Sequence, residues 1–304
     1  MLYLCFYQPL IRLNMPNTQQ RSRINDVLHY IHADINRDLS ATKLANIARY
    51  SEQHFHRLFI AIVGESVNRY VRNTRLEIAA NQLMFSPDTA IIEIAQKCGF
   101  QSLSSFNQAF KKQFNITPGS WRTDKISKKK PPYLSNPEIA AAYKRLSDTP
   151  LPDVKFVQLK ARHVAYIRHL GYDRSIKKTW QILHSWALTH ALEANIQLGL
   201  HHSNPAQTPL EKCHYVACIE IAQLLNKRGI VNSMTIPGGL YAQFEFSGKY
   251  GELLPSISKV LEQWLPSSSI NAMTTPSFVE YRKNHFLNDN EQYDLSFYLP
   301  VDFY

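Results

Sequence analysis

Leu39 to Gly64 and Ala90 to Arg122 carry one pattern twice, about fifty residues apart, and this repeat constrains the fold more than anything else in the chain. In the later copy Ile91, Ile94, Ala95 and Cys98 stand at helical spacing. Gly99-Phe100 ends that helix, because glycine enters the left-handed conformation that closes helices. Ser102 is placed to cap a second helix whose apolar stripe is Phe106, Ala109, Phe110 and Phe114. Helix, tight turn and helix make a helix-turn-helix. The earlier copy aligns Leu44 with Ile94, Ala45 with Ala95 and Ala48 with Cys98; after a one-residue offset, Ser51 matches Ser102, Phe55 matches Phe106 and Phe59 matches Phe110. One helical pair of this kind says little, but two in the same register read as a duplicated unit.

The flanking residues fit that unit. A first helix over Ile24 to Ile35 buries Val27, Leu28, Ile31 and Ile35, and Ser40 caps the first copy. Glu65 to Phe85 reads as one long connecting helix, stopped by Ser86-Pro87-Asp88. Roughly twenty residues at about 1.5 Å each span about 30 Å, close to the roughly 34 Å of one DNA turn. Two reading heads on one chain could therefore enter successive major grooves without a second subunit. Arg69, Arg72 and Arg75 on this helix either hold phosphates or are solvated. In the first head Phe55, Leu58, Phe59 and Ile62 face inward, leaving Gln53, His56 and Arg57 outward at the end of the helix that meets base edges. In the second head Leu103, Ser104, Asn107 and Gln108 face out, with Lys111 and Lys112 toward the backbone. Gln and Asn suit adenine, Arg suits guanine, and Leu103 can touch a thymine methyl. With no arginine, the second head is expected to fix register more than sequence.

Charge separates the chain into halves. Residues 21–130 hold 17 Lys and Arg against 9 Asp and Glu, a balance of +8. Residues 131–304 hold 16 against 15, a balance of +1, and Arg12 completes the formal +10. The excess belongs to the half with the repeat, as a phosphate-binding surface requires. No apolar run is long enough for a spanning helix. Cys5, Cys98, Cys213 and Cys218 form no Cys-x-x-Cys pair and read as small buried apolar groups in a reducing compartment.

The pattern A-x-x-x-GF-x-S-x-S-x-F-x-x-x-FK-x-x-F-x-x-TP-x-x-x-R resembles the signature of the AraC/XylS family of bacterial transcription regulators. Ala95, Gly99, Phe100, Ser102, Phe106, Phe110, Lys111, Phe114, Pro118 and Arg122 stand at its positions. The resemblance implies a cytoplasmic protein that binds double-stranded DNA and regulates transcription by contacting RNA polymerase.

The remainder divides further. Residues 1–20 are expected to be an extension, with Met15 the natural start. Residues 123–152, with Lys128-Lys129-Lys130 beside Pro131-Pro132, are expected to form an exposed, extended linker. Residues 153–304 repeat internally: Val164 to Trp186 resembles Tyr241 to Trp264, each a strand, a glycine (Gly171 or Gly248) and an amphipathic helix. Two strand candidates follow each, Ile196 to His201 with His214 to Ile221, and Phe278 to Arg282 with Leu295 to Phe303. The expected architecture is thus an all-α tandem helix-turn-helix domain followed by an α+β domain of two strand-helix-strand-strand repeats.

The glycine-ended strands, Pro276 to Asn284 and the closing LSFYLPVDF resemble the GyrI-like effector-binding domain, and the two halves together resemble the Rob subgroup. The resemblance places a glutamate, here Glu280, in a hydrophobic groove. Tyr166, Trp186, Phe244, Phe278, Phe297 and Tyr298 could line that groove, and an amphipathic, cationic small molecule would satisfy both carboxylate and aromatics. The alternative is that these are core residues and that Glu280 is solvated or paired with a neighbouring arginine. No catalytic motif, cofactor cradle or trustworthy metal spacing occurs; His201-His202, Cys213-His214 and Cys218 match no zinc frame. The expectation is a non-enzymatic regulator, able to bind DNA as a monomer. A ligand hydrolase using Glu280, or a ligand-free protein-interaction module, stands as the other reading of residues 153–304.

Overall fold

The computed structural model describes residues 16–86, 88–123, 131–225, 229–273 and 275–303. Met15, Cys5 and the lysine run at 128–130 lie outside them. The first helix, α1 (Thr18–Ala33), begins earlier than expected, because Asn17 and Gln20 form a reciprocal capping box. Residues 18–20 are therefore helix and not part of an extension. Ser40 caps α2 (Ala41–Ala48) and Ser51 caps α3 (Glu52–Val63). After α4 (Val67–Phe85) come α5 (Ile91–Lys97), α6 (Leu103–Phe114), capped by Ser102, and α7 (Pro118–Thr123).

Helix α4 belongs to two cores. Val67, Tyr70 and Val71 close the first head over Ile24, Val27, Ile31, Leu44, Phe55 and Phe59. Leu76, Ala79, Ala80 and Leu83 close the second over Ile94, Ala95, Phe106 and Phe110. Its apolar stripe changes partner halfway along, so the helix joins the heads and also fixes their relation. Arg75 adds to this. Its Nε donates to the Ile35 carbonyl of the first head at 3.2 Å, and its guanidinium packs against Gly99 of the second. Arg75 is thus neither a free phosphate contact nor solvated. Of its two neighbours, Arg69 pairs with Glu65 at 3.3 Å and Arg72 is exposed.

The expected linker is largely folded. Asn136 caps α8 (Pro137–Leu146), with Pro137 at its first position, where a missing N–H costs nothing. Ile139 and Ala142 bury its inner face, and Tyr133 ahead of it is wholly buried. The Lys259 ammonium closes the far end by donating to the carbonyls of Leu146, Ser147 and Thr149. Prolines and charge suggested extended chain; the two-residue apolar stripe between them is what folded it.

Among the described residues, the second domain is built on a nine-stranded antiparallel sheet. Its repeats are β2 (Arg162–Leu170), α9 (Ile176–Thr189), β3 (Gln197–His201), β4 (His214–Glu220) and β6 (Gly239–Lys249), α10 (Leu253–Lys259), β8 (Ser277–Lys283), β9 (Gln292–Asp302). Helix α10 runs on through a π turn over Val260–Trp264. The repeats meet where β3 pairs with β8, which gives the order β6-β9-β8-β3-β4-β2. Two strands the sequence did not disclose flank this row, while a short β7 (Asn271–Ala272) adds to β9. β1 (Lys155–Leu159) leads directly into β2 yet pairs with β6; β5 (Asn232–Ile236) leads directly into β6 yet pairs with β2. Each half thus lends its leading strand to the other.

That exchange bends the sheet. β1 and β2 are adjacent in the chain but nearly at opposite ends of the strand order, so the sheet must roll until its edges approach. The two crossing connections touch: a Cβ at Gly238 would lie 2.7 Å from the Ala161 nitrogen. The rolled-in face packs Val164, Tyr166, Leu198, Leu200, Cys218, Met234, Phe278 and Tyr298 together. The outer face carries α9 and α10 over Ala165, Ile167, Tyr215, Ala217, Phe244, Val279, Tyr281 and Phe297.

Candidate functional site

The outward sides of α3 and α6 carry the expected reading groups. Phe55, Leu58 and Phe59 are buried, which turns Gln53 and Arg57 into solvent and leaves His56 half-buried. Phe106 and Phe110 do the same for Leu103, Ser104, Asn107, Gln108 and Lys111, all exposed. Both helices present their capped N-terminal ends, where unpaired N–H groups and the helix dipole favour an anion such as phosphate. Exposed cations lie around them: Lys43, Arg49, Arg69, Arg72 and Lys112. Between the heads runs a furrow bordered by Arg37, Asn68, Arg72 and Gln101. Its polar rim was not legible in the sequence, since it joins the α1–α2 loop to a helix far along the chain.

Helix α7 buttresses the second head. Trp121 stacks edge-on with Phe110 and donates its indole N–H to the Ala80 carbonyl at 3.1 Å. Arg122 donates to the Thr89 carbonyl at 2.6 Å. The signature's closing arginine therefore ties α7 to the turn that starts the second head.

The groove expected around Glu280 does not assemble. Tyr166, Phe278 and Tyr298 share its face, but the rolled sheet makes that face an interior, with Tyr166 and Phe278 wholly buried and Tyr298 stacked on Phe278 at 4.9 Å. Phe244, Phe297 and Trp186 belong to the opposite, helix-covered side. Glu280 itself accepts from the Arg162 guanidinium at 2.7 Å, and Arg162 also holds Glu220 at 2.5 Å. Strand alternation holds, with Phe278 on one face and Val279 and Tyr281 on the other, but the curvature depends on the exchanged strands, which local pattern does not contain. Beneath α9 and α10 lies instead a small cavity of about 40 Å³, walled by Tyr172, Tyr215, Tyr250, Tyr281, His201 and His285. The Tyr215 and Tyr281 hydroxyls meet at 3.3 Å. Burial raises both phenols and lowers His201 to about 4 and His285 to about 3, so this wall is neutral. The available signal was Tyr281, one residue on from Glu280 and so on the other face.

A larger space lies where the two domains meet. The His32 ring hydrogen-bonds the Tyr70 hydroxyl at 2.7 Å and packs on His202 at 4.7 Å between centroids. Tyr70 also packs on His214. Asn204 donates to Asn81 at 3.0 Å, and Asn232 to Asp26 at 3.2 Å. Burial is the largest cause that depresses His32 and His202 well below the usual range and His214 to about 4. The seam is thus held by neutral imidazoles. Beside it a cavity of about 140 Å³ opens between α4 and the second domain. Glu77 of α4 borders it, raised by burial to about 7 although the Thr208 and Ser203 hydroxyls favour its carboxylate form.

Comparison with known proteins places both halves. A helix-turn-helix domain family matches residues 44–124, and the GyrI-like small molecule binding domain matches residues 152–302. The probable transcription factor PqrA of Proteus vulgaris is 36% identical over 101 residues, 33% of this chain and 82% of that protein. The right origin-binding protein of Escherichia coli (strain K12) is 31% identical over 141 residues, 46% of each chain. Among solved structures, a Chromobacterium violaceum transcriptional regulator with an AraC-type DNA-binding domain is 28% identical, covering 33% of this chain and 89% of that one with a TM-score of 0.31. The match spans only about a third to a half of the length of several curated relatives. The resemblance carried by the repeat and by the closing strands thus holds across both halves, and the chain belongs to the AraC-type DNA-binding transcriptional regulators, with a GyrI-like small-molecule binding domain behind its DNA-binding domain.

Proposed function

We propose that a single chain reads an asymmetric operator with both heads, α3 and α6 entering successive major grooves, and that an amphipathic, cationic small molecule modulates this through the second domain. The observation that carries the reading is the shared helix: α4 completes both cores, so two exposed recognition surfaces stand in one fixed relation. Gln53, His56 and Arg57 specify bases in this reading. Leu103, Ser104, Asn107 and Gln108 add contacts to a second half-site, and Lys111 holds phosphate. Contact with RNA polymerase turns binding into regulation. Selection of genomic fragments on the purified protein, titrated against salt, tests this. The expected result is one asymmetric motif with half-sites about a turn apart and a steep salt slope. Salt-sensitive binding with no preferred sequence would leave a basic DNA coater in its place.

One observation favours a second reading of the C-terminal domain. The rolled-in face is filled, as a module that contacts another protein without a ligand would have it. The hydrolase reading loses support, because the Glu280 carboxylate is engaged by Arg162.

A further inference from the structure

The seam cavity has a mixed lining: Glu77, Asn81 and Asn204 are among its polar side chains, and Ile257, Leu261 and Leu299 are among its apolar ones. Its border contains no lysine or arginine, and among the described residues no ion pair reaches Glu77. The nearby rings of His32, His201, His202 and His214 are held neutral by burial and supply no compensating charge. Glu77 is half-buried, and a carboxylate partly withdrawn from water with no cation beside it is costly. Here it faces open space of about 140 Å³, comparable to the roughly 150 Å³ that accommodates a benzene-sized guest.

We propose that this seam cavity binds a small protonated amine with a compact apolar body, the ammonium on Glu77 and the apolar part against Ile257, Leu261 and Leu299. The ammonium supplies the missing charge and donates to the carboxylate and to the side-chain carbonyl of Asn81 or Asn204. The apolar part leaves water for an apolar wall. The occupant touches α4, the helix both heads share, and so lies between effector domain and DNA reader. The site rests on the reading that the effector is an amphipathic cation, and it supplies that cation with a carboxylate that Glu280, held by Arg162, does not.

The test is calorimetric titration of the full chain with n-hexylammonium and with neutral n-hexanol, on wild type, Glu77→Gln and Leu261→Phe, with folding of each variant checked by thermal unfolding. Hexylammonium should bind wild type more tightly than hexanol. Glu77→Gln should weaken hexylammonium at least tenfold and leave hexanol unchanged, while Leu261→Phe, which enlarges an apolar lining side chain, should weaken both. Hexylammonium binding equally to wild type and Glu77→Gln would overturn the seam site and leave the cationic-effector reading standing. Should neither probe nor any larger amphipathic cation bind while operator affinity is intact, the cationic-effector reading falls and the seam site falls with it.

Discussion

Arg57 and Arg162 show how differently one side-chain type is used. Arg57 projects from the first turns of α3 with its guanidinium in solvent, where its fork can meet guanine. Arg57→Ala is expected to weaken operator binding by about 1–3 kcal/mol, with a smaller loss on unrelated DNA; paired titrations on the selected site and a scrambled fragment measure the difference. Equal losses on the two would make it a phosphate contact. Arg162 has only 15% of its side chain exposed and holds Glu220 and Glu280 at once. Arg162→Met leaves two half-buried carboxylates facing each other without a donor and is expected to cost about 1–3 kcal/mol of stability, read as a lower denaturant midpoint. The resemblance to the GyrI-like domain implies a ligand role for Glu280. What decides its role is the arginine across the rolled sheet, 118 positions away in sequence.

The elements most readily foretold were those whose signals are local. Ser40, Ser51 and Ser102 cap the helices that they precede, and the apolar spacing of α4 fixed its length to within two residues of the structure. Gly99 is another such signal, at φ +79, with the Arg75 guanidinium 2.7 Å from where a Cβ would stand. Gly99→Ala forces a left-handed alanine and displaces a guanidinium held by the Ile35 carbonyl. A loss of about 1–2 kcal/mol is expected, measured by chemical denaturation. The equivalent position in the first head is Arg49, already left-handed at φ +56, whose carbonyl accepts from the Arg23 guanidinium at 3.2 Å; Arg49→Gly keeps that carbonyl and should gain up to about 1 kcal/mol there. Helix α8 and the strands β1 and β5 were missed for the opposite reason. Prolines frame α8, and the flanking strands are short and partly exposed, so their identity depends on partners that local pattern does not contain.

For the whole molecule, histidines at the seam and in the cavity beneath α9 and α10 make stability depend on pH. His32, His201, His202, His214 and His285 are all lowered by burial in the fold, so below the ordinary histidine value near 6.5 the unfolded chain binds protons that the folded chain refuses. Each contributes a loss of up to about 1.4 kcal/mol per pH unit as pH falls from about 6.5 toward its folded value. Glu77, raised to about 7, acts in the opposite sense between about 4.5 and 7, and Glu65 and Glu262, also raised by burial, act with it. They are set against these five histidines together with His169 and His184, lowered in the same way. The net expectation is a Tm that drops steadily between pH 6.5 and 4.5, checked by calorimetry in matched ionic strength. His32→Phe should flatten the slope if that ring stays packed against His202. None of this was legible in the sequence, where His201, His202 and His214 appear only in a rejected metal set and His32 and His285 carry no signal, because the seam joins α1 and α4 to loops of the other domain. The exchange of β1 and β5 has its own consequence at this scale. If the backbone is cut between Glu220 and Asn232, each fragment carries a leading strand whose partner lies on the other fragment. Separately each has an open sheet edge; mixed, they can regain the rolled sheet only by clasping one another. The second domain is therefore a natural split reporter, whose recovery registers the meeting of whatever its two pieces are fused to.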